Sequence, residues 1–473
     1  MRRDPSSVRA PGRLSISSRN SRNVALRLAA LVLGAGLAPL GCERPGSAAD
    51  IPSRLASLGR PNLVLVVVDT LRADATTPYG SAADTSPELA RWASRGVLFE
   101  HARAQSSWTK ISMASLFTSL WPRSHGIRDA QDGLAEGAVT LAEVLKGAGY
   151  ATYGVQTNGW LHQSFGFHQG FDRYMFPKAG GDPRLGQASR WPHADRVIEE
   201  ARRLVASHDR SVPFFLYVHF MDVHEYASPP HFKTYGTDTH GAYLAAIRWV
   251  DDALGRLRKD LDEAGVLDRS VIAFASDHGE TFGEHGVHGH ARNVLTPVVH
   301  VPLVFRLPFP IHPIRSGTQV RNLDVAPTLL ELAGVPVPEG FEGRSLLPLV
   351  VSDRDPSDRP TYAALGVPLF PDASVQSAVS DGRWTYARNA EPIDDDPEAY
   401  ESRAVAAGEE YLFDRRIDPG ENANLVRRER SAAARMAAML DAHLGEYKED
   451  VVEKGVRIDP SIAERLRAMG YLR

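Results

Sequence analysis

After Asn62, six consecutive residues, Leu63-Val64-Leu65-Val66-Val67-Val68, form an unbroken and largely β-branched apolar run that stops at Asp69. A strand with one wet face alternates polar and apolar residues. A run without alternation suits a strand covered on both faces, as inside a parallel sheet. Such a sheet needs helices on either side, and the chain supplies them. Ser86-Pro87-Glu88 opens a helix that closes at Gly96, with a capping residue, proline in the first turn and glycine at the end. Further helical patterns run over about Thr109 to Leu120, Thr140 to Lys146, His193 to Ser207, Ala242 to Ala264 and Leu323 to Leu332. Between them lie strand patterns at Ala151 to Gln156, Val212 to His219, Val271 to Ser276 and Pro302 to Arg306.

The alternation predicts an α/β fold: a large, mostly parallel sheet sandwiched by helices over 61–352. The pattern weakens after Ser352, where Asp353 to Pro360 reads as a linker. Short strand-like pieces from Tyr362 to Phe413 and a helix from Arg430 to Leu444 predict a smaller α+β subdomain over 353–473. A length of 473 residues suits this division, since single cores stop growing well below it. In open α/β sheets ligands sit beyond the carboxyl ends of the strands. Asp69, His219 with Asp222, and Asp277 with His278 all lie at or just after such ends, which gathers them into one candidate site.

The first 42 residues read differently. Seven arginines precede an apolar run from Leu28 to Leu40, too short to span a bilayer but suited to a secretion signal. It ends at Pro39-Leu40-Gly41-Cys42, and Cys42 is the sole cysteine. This resembles a bacterial lipoprotein signal whose cysteine becomes lipidated, although Pro39 replaces the usual aliphatic residue. The expectation is an exported chain, periplasmic, extracellular or attached to a membrane through Cys42, with 43–60 as a tether. One cysteine excludes an internal disulfide and a Cys-x-x-Cys metal site. A net charge of -4 argues against nucleic acid as the main partner.

The strongest chemical signal is Ser276-Asp277-His278-Gly279-Glu280, an acid and an imidazole side by side after a buried strand, both able to reach a metal. Here the chain resembles the sulfatase-like branch of the alkaline phosphatase superfamily. The matching segments are Leu63 to Asp74, Thr85 to Leu89, Ser107 to Gly126, Phe214 to His224, Ser276 to His290, Val301 to Phe305, Asp324 to Gly334, Gly343 to Leu346, Tyr411 to Leu425 and Leu466 to Leu472. The resemblance implies a metal site of Asp69, Thr109, Asp277 and His278, holding one divalent cation such as Ca, Mg, Mn or Zn. It also implies that Thr109 is the nucleophile, that Asn158 and His224 contact substrate, and that His290 meets the transferred group or the leaving oxygen. A threonine opening a helix most often serves as its cap. A turn residue is the plainer reading of Asn158. A second cation held by Asp222 with His278, His285, His288 and His290 is the alternative to a single one.

The chain also departs from that family. Formylglycine sulfatases oxidise the cysteine or serine of a Cys/Ser-x-Pro-x-Arg motif, whereas Thr109-Lys110-Ile111-Ser112-Met113 stands here. Threonine cannot yield that aldehyde, so attack on phosphorus is expected. Thr70 replaces a second acid beside Asp69, and Met113 removes a positive charge. Lys110 is poorly placed to restore it, being about 100° around the helix from Thr109. These residues predict a metal-dependent hydrolase of phosphoric, or related sulfuric or phosphonic, esters of a small molecule, glycan or lipid. The alternatives are a transferase passing the group to a glycan or lipid, and a silent binding lipoprotein that keeps only the fold.

Overall fold

The computed structural model describes residues 45–178, 193–232, 234–352, 359–366, 369–370, 373, 375–389, 408–446, 451–468 and 471–472. The apolar run lies in strand β1 (Asn62–Val68), with every residue buried. The sheet also contains β2 (Gly96–Arg103), β3 (Ala151–Val155), β4 (Arg173–Met175), β5 (Phe214–Phe220), β6 (Ser270–Ser276), β7 (His300–Val301), β8 (Leu303–Arg306) and β9 (Ile314–Arg321). Their order is β7-β2-β8-β6-β1-β5-β3-β4, and β9 also pairs with β2. The central strands β6, β1, β5, β3 and β4 are parallel; β8 runs antiparallel to both β6 and β2.

Because β1 is covered on both sides, its alternate residues enter two cores. Leu63, Leu65 and Val67 pack with Ile111 and Leu116 of helix α3 (Thr109–Thr118), Leu141 of α4 (Leu141–Gly147) and Leu329 of α7 (Val325–Leu332). Val64, Val66 and Val68 pack with Trp92 of α2 (Pro87–Ala93), Ile198 of α5 (Ala194–Ala206) and Leu254 of the long α6 (Thr239–Glu263). The sheet register then places the chemistry. Val68 pairs with Phe220 on one side and Ser276 on the other, so Asp69 and Asp277 leave the sheet side by side.

The expected tether is partly structured. Residues Ile51–Leu58 form helix α1, whose Ile51 and Leu55, one turn apart, are buried in the main core. Arg54 donates from Nη1 to the Pro310 carbonyl. The helix is masked in the sequence by its proline and small residues, yet proline is well tolerated in a first turn. Cys42 and the apolar run before it lie outside the described residues. Among the described residues no helix is long and apolar enough to cross a membrane.

The C-terminal part is an antiparallel sheet of β10 (Thr361–Leu365), β11 (Gln376–Ser380), β12 (Trp384–Asn389) and β13 (Glu410–Asp414). Helix α8 (Arg430–Gly445) covers it through Met436 and Leu440. The rest of 353–473 does not stay with this unit. Val452–Glu453 pairs with Gly133–Leu134 of the main domain, and helix α9 (Pro460–Ala468) leads on to Tyr471. That tyrosine enters the candidate site.

Candidate active site

Asp69 follows β1 and Asp277 follows β6; both are fully buried. The Asp69 backbone N–H is held by the Phe220 carbonyl at 2.9 Å. Its Oδ2 accepts from Asn158 Nδ2 at 2.7 Å and meets His219 Nε2 at 3.0 Å. Asp277 Oδ1 accepts the backbone N–H groups of Thr70 and His278. Asp69 Oδ1 and Asp277 Oδ2 have no hydrogen-bond partner. A buried carboxylate oxygen left bare costs several kcal/mol unless something cationic faces it.

His278 supplies the third side. Its Nδ1 lies 3.0 Å from the Gly279 carbonyl, which places the hydrogen there and leaves the Nε2 lone pair facing inward. Nε2 is 3.4 Å from Asp277 Oδ2 and 3.9 Å from Asp69 Oδ1. Gly279 is required by the crowding behind this turn, since a Cβ there would stand 2.2 Å from the Pro297 carbonyl oxygen. Among the described residues, Asp69, Asp277 and His278 are the one group of three acidic or imidazole side chains close enough to share an ion. Two bare carboxylate oxygens and an imidazole lone pair suit a divalent cation. Burial pushes Asp277 up, and the Asp69 charge adds to the rise. Burial also opposes ionisation of Asp69, but the bond to His219 and the surrounding imidazoles hold that carboxyl well below its usual range.

Thr109 closes the group from the fourth side. It is the first residue of α3, while Trp108 holds the cap position without a side-chain bond. Its hydroxyl therefore does not cap the helix. Thr109 Oγ1 lies 3.2 Å from His278 Nε2 and accepts from Asn158 Nδ2 at 3.3 Å. Asn158 combines both roles expected of it: Oδ1 accepts the Trp160 N–H in a turn, while Nδ2 points at Asp69 and Thr109.

His224 and His290 stand beside this group. The His290 ring stacks on His278 at 4.7 Å and meets the His224 ring edge-on at 4.9 Å. Burial lowers His290 to about 4 despite its contact with Glu280. Burial opposes charging of His224 too, but the bond to Glu225 and the Asp69 charge raise it to about 9. Nε2 of each ring is 2.8 Å from the hydroxyl of Tyr471. Asp222 is turned away from this site, with Oδ1 accepting the Ala194 N–H at the head of α5 and contacting His193. Its Oδ2 has no hydrogen-bond partner, but among the described residues Asp222 does not group with two other acidic or imidazole side chains close enough to share an ion, so the geometry does not favour the alternative of a second cation.

The Sulfatase family profile matches residues 61–335. The chain belongs to the Sulfatase family. Human "Arylsulfatase A" is 27% identical, the match covering 79% of this chain and 84% of that protein. The "Ulvan-active sulfatase" of Formosa agariphila is 23% identical over 78% of this chain and 77% of its own. The structure of the phosphonate monoester hydrolase of Agrobacterium radiobacter superposes with a TM-score of 0.66 at 18% identity, covering 81% of this chain and 96% of the other. Sulfatase-family enzymes hydrolyse esters and usually employ a divalent metal, and this chain is an enzyme of that class.

Within this sulfatase fold the departures noted in the sequence have visible consequences. Thr70 adopts a left-handed conformation (φ 56°) and donates its hydroxyl to the Asp69 carbonyl, away from the bare carboxylate oxygens. Met113 is buried in the core. Lys110 is fully buried; its Nζ lies 3.6 Å from the centre of the Phe165 ring and 4.5 Å from that of Trp160, and donates to the carbonyls of Ala130 and Asp132. Sequence reading noted His219 only for its place at a strand end, and it assigned nothing to Glu280 or Tyr471.

Proposed function

We propose that this sulfatase-family chain is an exported, metal-dependent hydrolase of phosphoric or closely related esters, with Thr109 as its nucleophile. The observation that carries this reading is the Thr109 hydroxyl, which sits 3.2 Å from His278 Nε2 at the head of a helix, beside two buried and unpartnered carboxylate oxygens. A divalent cation (Ca, Mg, Mn or Zn) held by Asp69, Asp277 and His278 would lower the pKa of that hydroxyl and screen the charge of the bound oxyanion. Asn158 Nδ2 orients Thr109 Oγ1 and, with the free N–H groups of the first turn of α3, faces the charge that develops on the transferred group. His224 and His290, whose rings adjoin each other and of which His290 stacks on His278, would meet an ester held over Thr109.

The chemistry follows from having a single hydroxyl. Thr109 Oγ1 gives up its proton and forms a bond to phosphorus as the bond to the departing alcohol breaks, and that proton balances the one with which the alcohol leaves. The threonine ester formed is then broken by water attacking phosphorus, since threonine carries no second hydroxyl able to expel the group. Phosphorus suits such an attack, and one neighbour of similar fold is named as a phosphonate monoester hydrolase. Export rests on the basic and apolar run ending at Cys42, and the lipid anchor on that cysteine alone. The test is a panel of aryl phosphates, phosphodiesters, phosphonates and sulfates offered to cation-loaded protein. Turnover of phosphorus esters above sulfate esters supports the reading; preference for sulfate refutes its choice of substrate.

A further inference from the structure

Tyr471 lies 362 positions beyond Thr109, yet its side chain is enclosed within the site. The phenol ring packs 5.6 Å from Trp160 and 5.7 Å from Phe370, and its backbone N–H is tied to the Leu466 carbonyl. Its hydroxyl stands 2.8 Å from Nε2 of both His224 and His290. Nδ1 of His224 lies 3.1 Å from Glu225 Oε1, and Nδ1 of His290 lies 3.4 Å from Glu280 Oε2.

Counting donors fixes how these groups connect. Each Nδ1 faces a carboxylate and therefore carries a hydrogen. A phenol has one hydrogen to donate, so it can serve only one of the two Nε2 atoms. The other Nε2 faces the same phenol oxygen, whose lone pairs can accept from a ring N–H. The chain of contacts runs from Glu225 through His224, Tyr471 and His290 to Glu280, whose Oε2 also accepts from the Tyr226 hydroxyl at 3.0 Å.

We propose that Tyr471 is a positioning residue of the ester-cleaving site, its hydroxyl setting the orientation and tautomers of the two imidazoles that meet the ester. This rests on the reading of Thr109 as nucleophile. Without the hydroxyl, each ring keeps its carboxylate and its ring neighbours but loses the hydrogen-bond partner of its Nε2. A ring N–H held beside the departing oxygen matters most when that oxygen is a poor leaving group.

Tyr471→Phe removes the hydroxyl and keeps the ring against Trp160 and Phe370. Wild type, Tyr471→Phe and Thr109→Ala, all cation-loaded, are compared on aryl esters of the class turned over fastest, with phenols ranging from nitrophenol to unsubstituted phenol. The expected result for Tyr471→Phe is a kcat lower by at least about tenfold, with KM and melting temperature unchanged and a deeper loss on the poorer leaving group. An unchanged or increased kcat would overturn the proposal, an increase showing that the hydroxyl obstructs the ester. A loss equal across all phenols and matched by a lower melting temperature would also overturn it, because packing alone then explains the effect. Full activity of Thr109→Ala would instead refute the nucleophile reading, independently of Tyr471.

Discussion

Thr109 Oγ1 and His278 Nε2 lie 3.2 Å apart although 169 residues separate them in the chain. The sheet register brings them together: β1 and β6 end in step, and α3 points its first residue at the gap between Asp69 and Asp277. Two acids at that gap are a liability until a cation joins them.

The first prediction concerns that liability. Wild type should gain thermal stability when a divalent cation is added, by about 2.7 kcal/mol at a hundredfold excess over Kd. Asp277→Asn should lose this gain while being at least as stable as wild type in chelator, because it removes one of two repelling buried carboxylates. Melting curves with and without chelator measure both. Equal cation stabilisation of variant and wild type would rule Asp277 out as a ligand.

Lys110 tests the opposite kind of site. Its ammonium is enclosed by aromatic rings and two carbonyls, and burial drives its pKa well below the usual amine value. Lys110→Met should lower stability, since each orphaned carbonyl costs about 1–3 kcal/mol, while folded variant retains turnover. A large fall in kcat at unchanged stability would show that this ammonium serves the substrate.

Acid sensitivity should come partly from His443. Burial and the adjacent Arg123 guanidinium lower it from the ordinary 6.5 to about 3, and its Nδ1 accepts from Arg123 Nε. The unfolded chain binds a proton below pH 6.5 that the folded chain refuses until about pH 3, so stability is lost as pH falls through that window. His443→Phe, keeping the ring stacked on Tyr362, should flatten this loss. Urea unfolding at pH 7 and pH 5 checks it: an unchanged difference between the two would exclude His443 as a contributor.

Thr109→Cys should remain a cysteine. The residues after it are Lys110, Ile111, Ser112 and Met113, without the proline and arginine of the formylglycine motif. Peptide mass spectrometry of the purified variant should show the thiol, and an aldehyde at 109 would contradict the argument.

The parts legible in the sequence are those where one periodicity dominates. β1, β5 and β6 are predominantly apolar and fully buried along their length, and α5 and α6 carry a clear helical stripe. Because Asp69, Asp277 and His278 sit at strand ends, reading the strands also located the acids. β2 and β9 escaped: β2 carries Glu100 and His101 within it, and β9 is a polar strand whose register breaks between Ser316 and Gln319. The antiparallel entry of β8 is a tertiary choice that its four residues do not encode. Tyr471 was hidden for another reason. Its partners His224 and His290 lie 247 and 181 positions away, and no local pattern reports a contact at that range.

The most direct measurement is kcat/KM for Thr109→Ala beside wild type, both cation-loaded and of matched melting temperature, on the best phosphorus ester of the panel. The account predicts a loss of at least about 10³-fold, as for removal of other hydroxyl nucleophiles, with Thr109→Ser retaining measurable turnover. Thr109→Ala working within about tenfold of wild type, a difference of about 1.4 kcal/mol in the barrier, would contradict it.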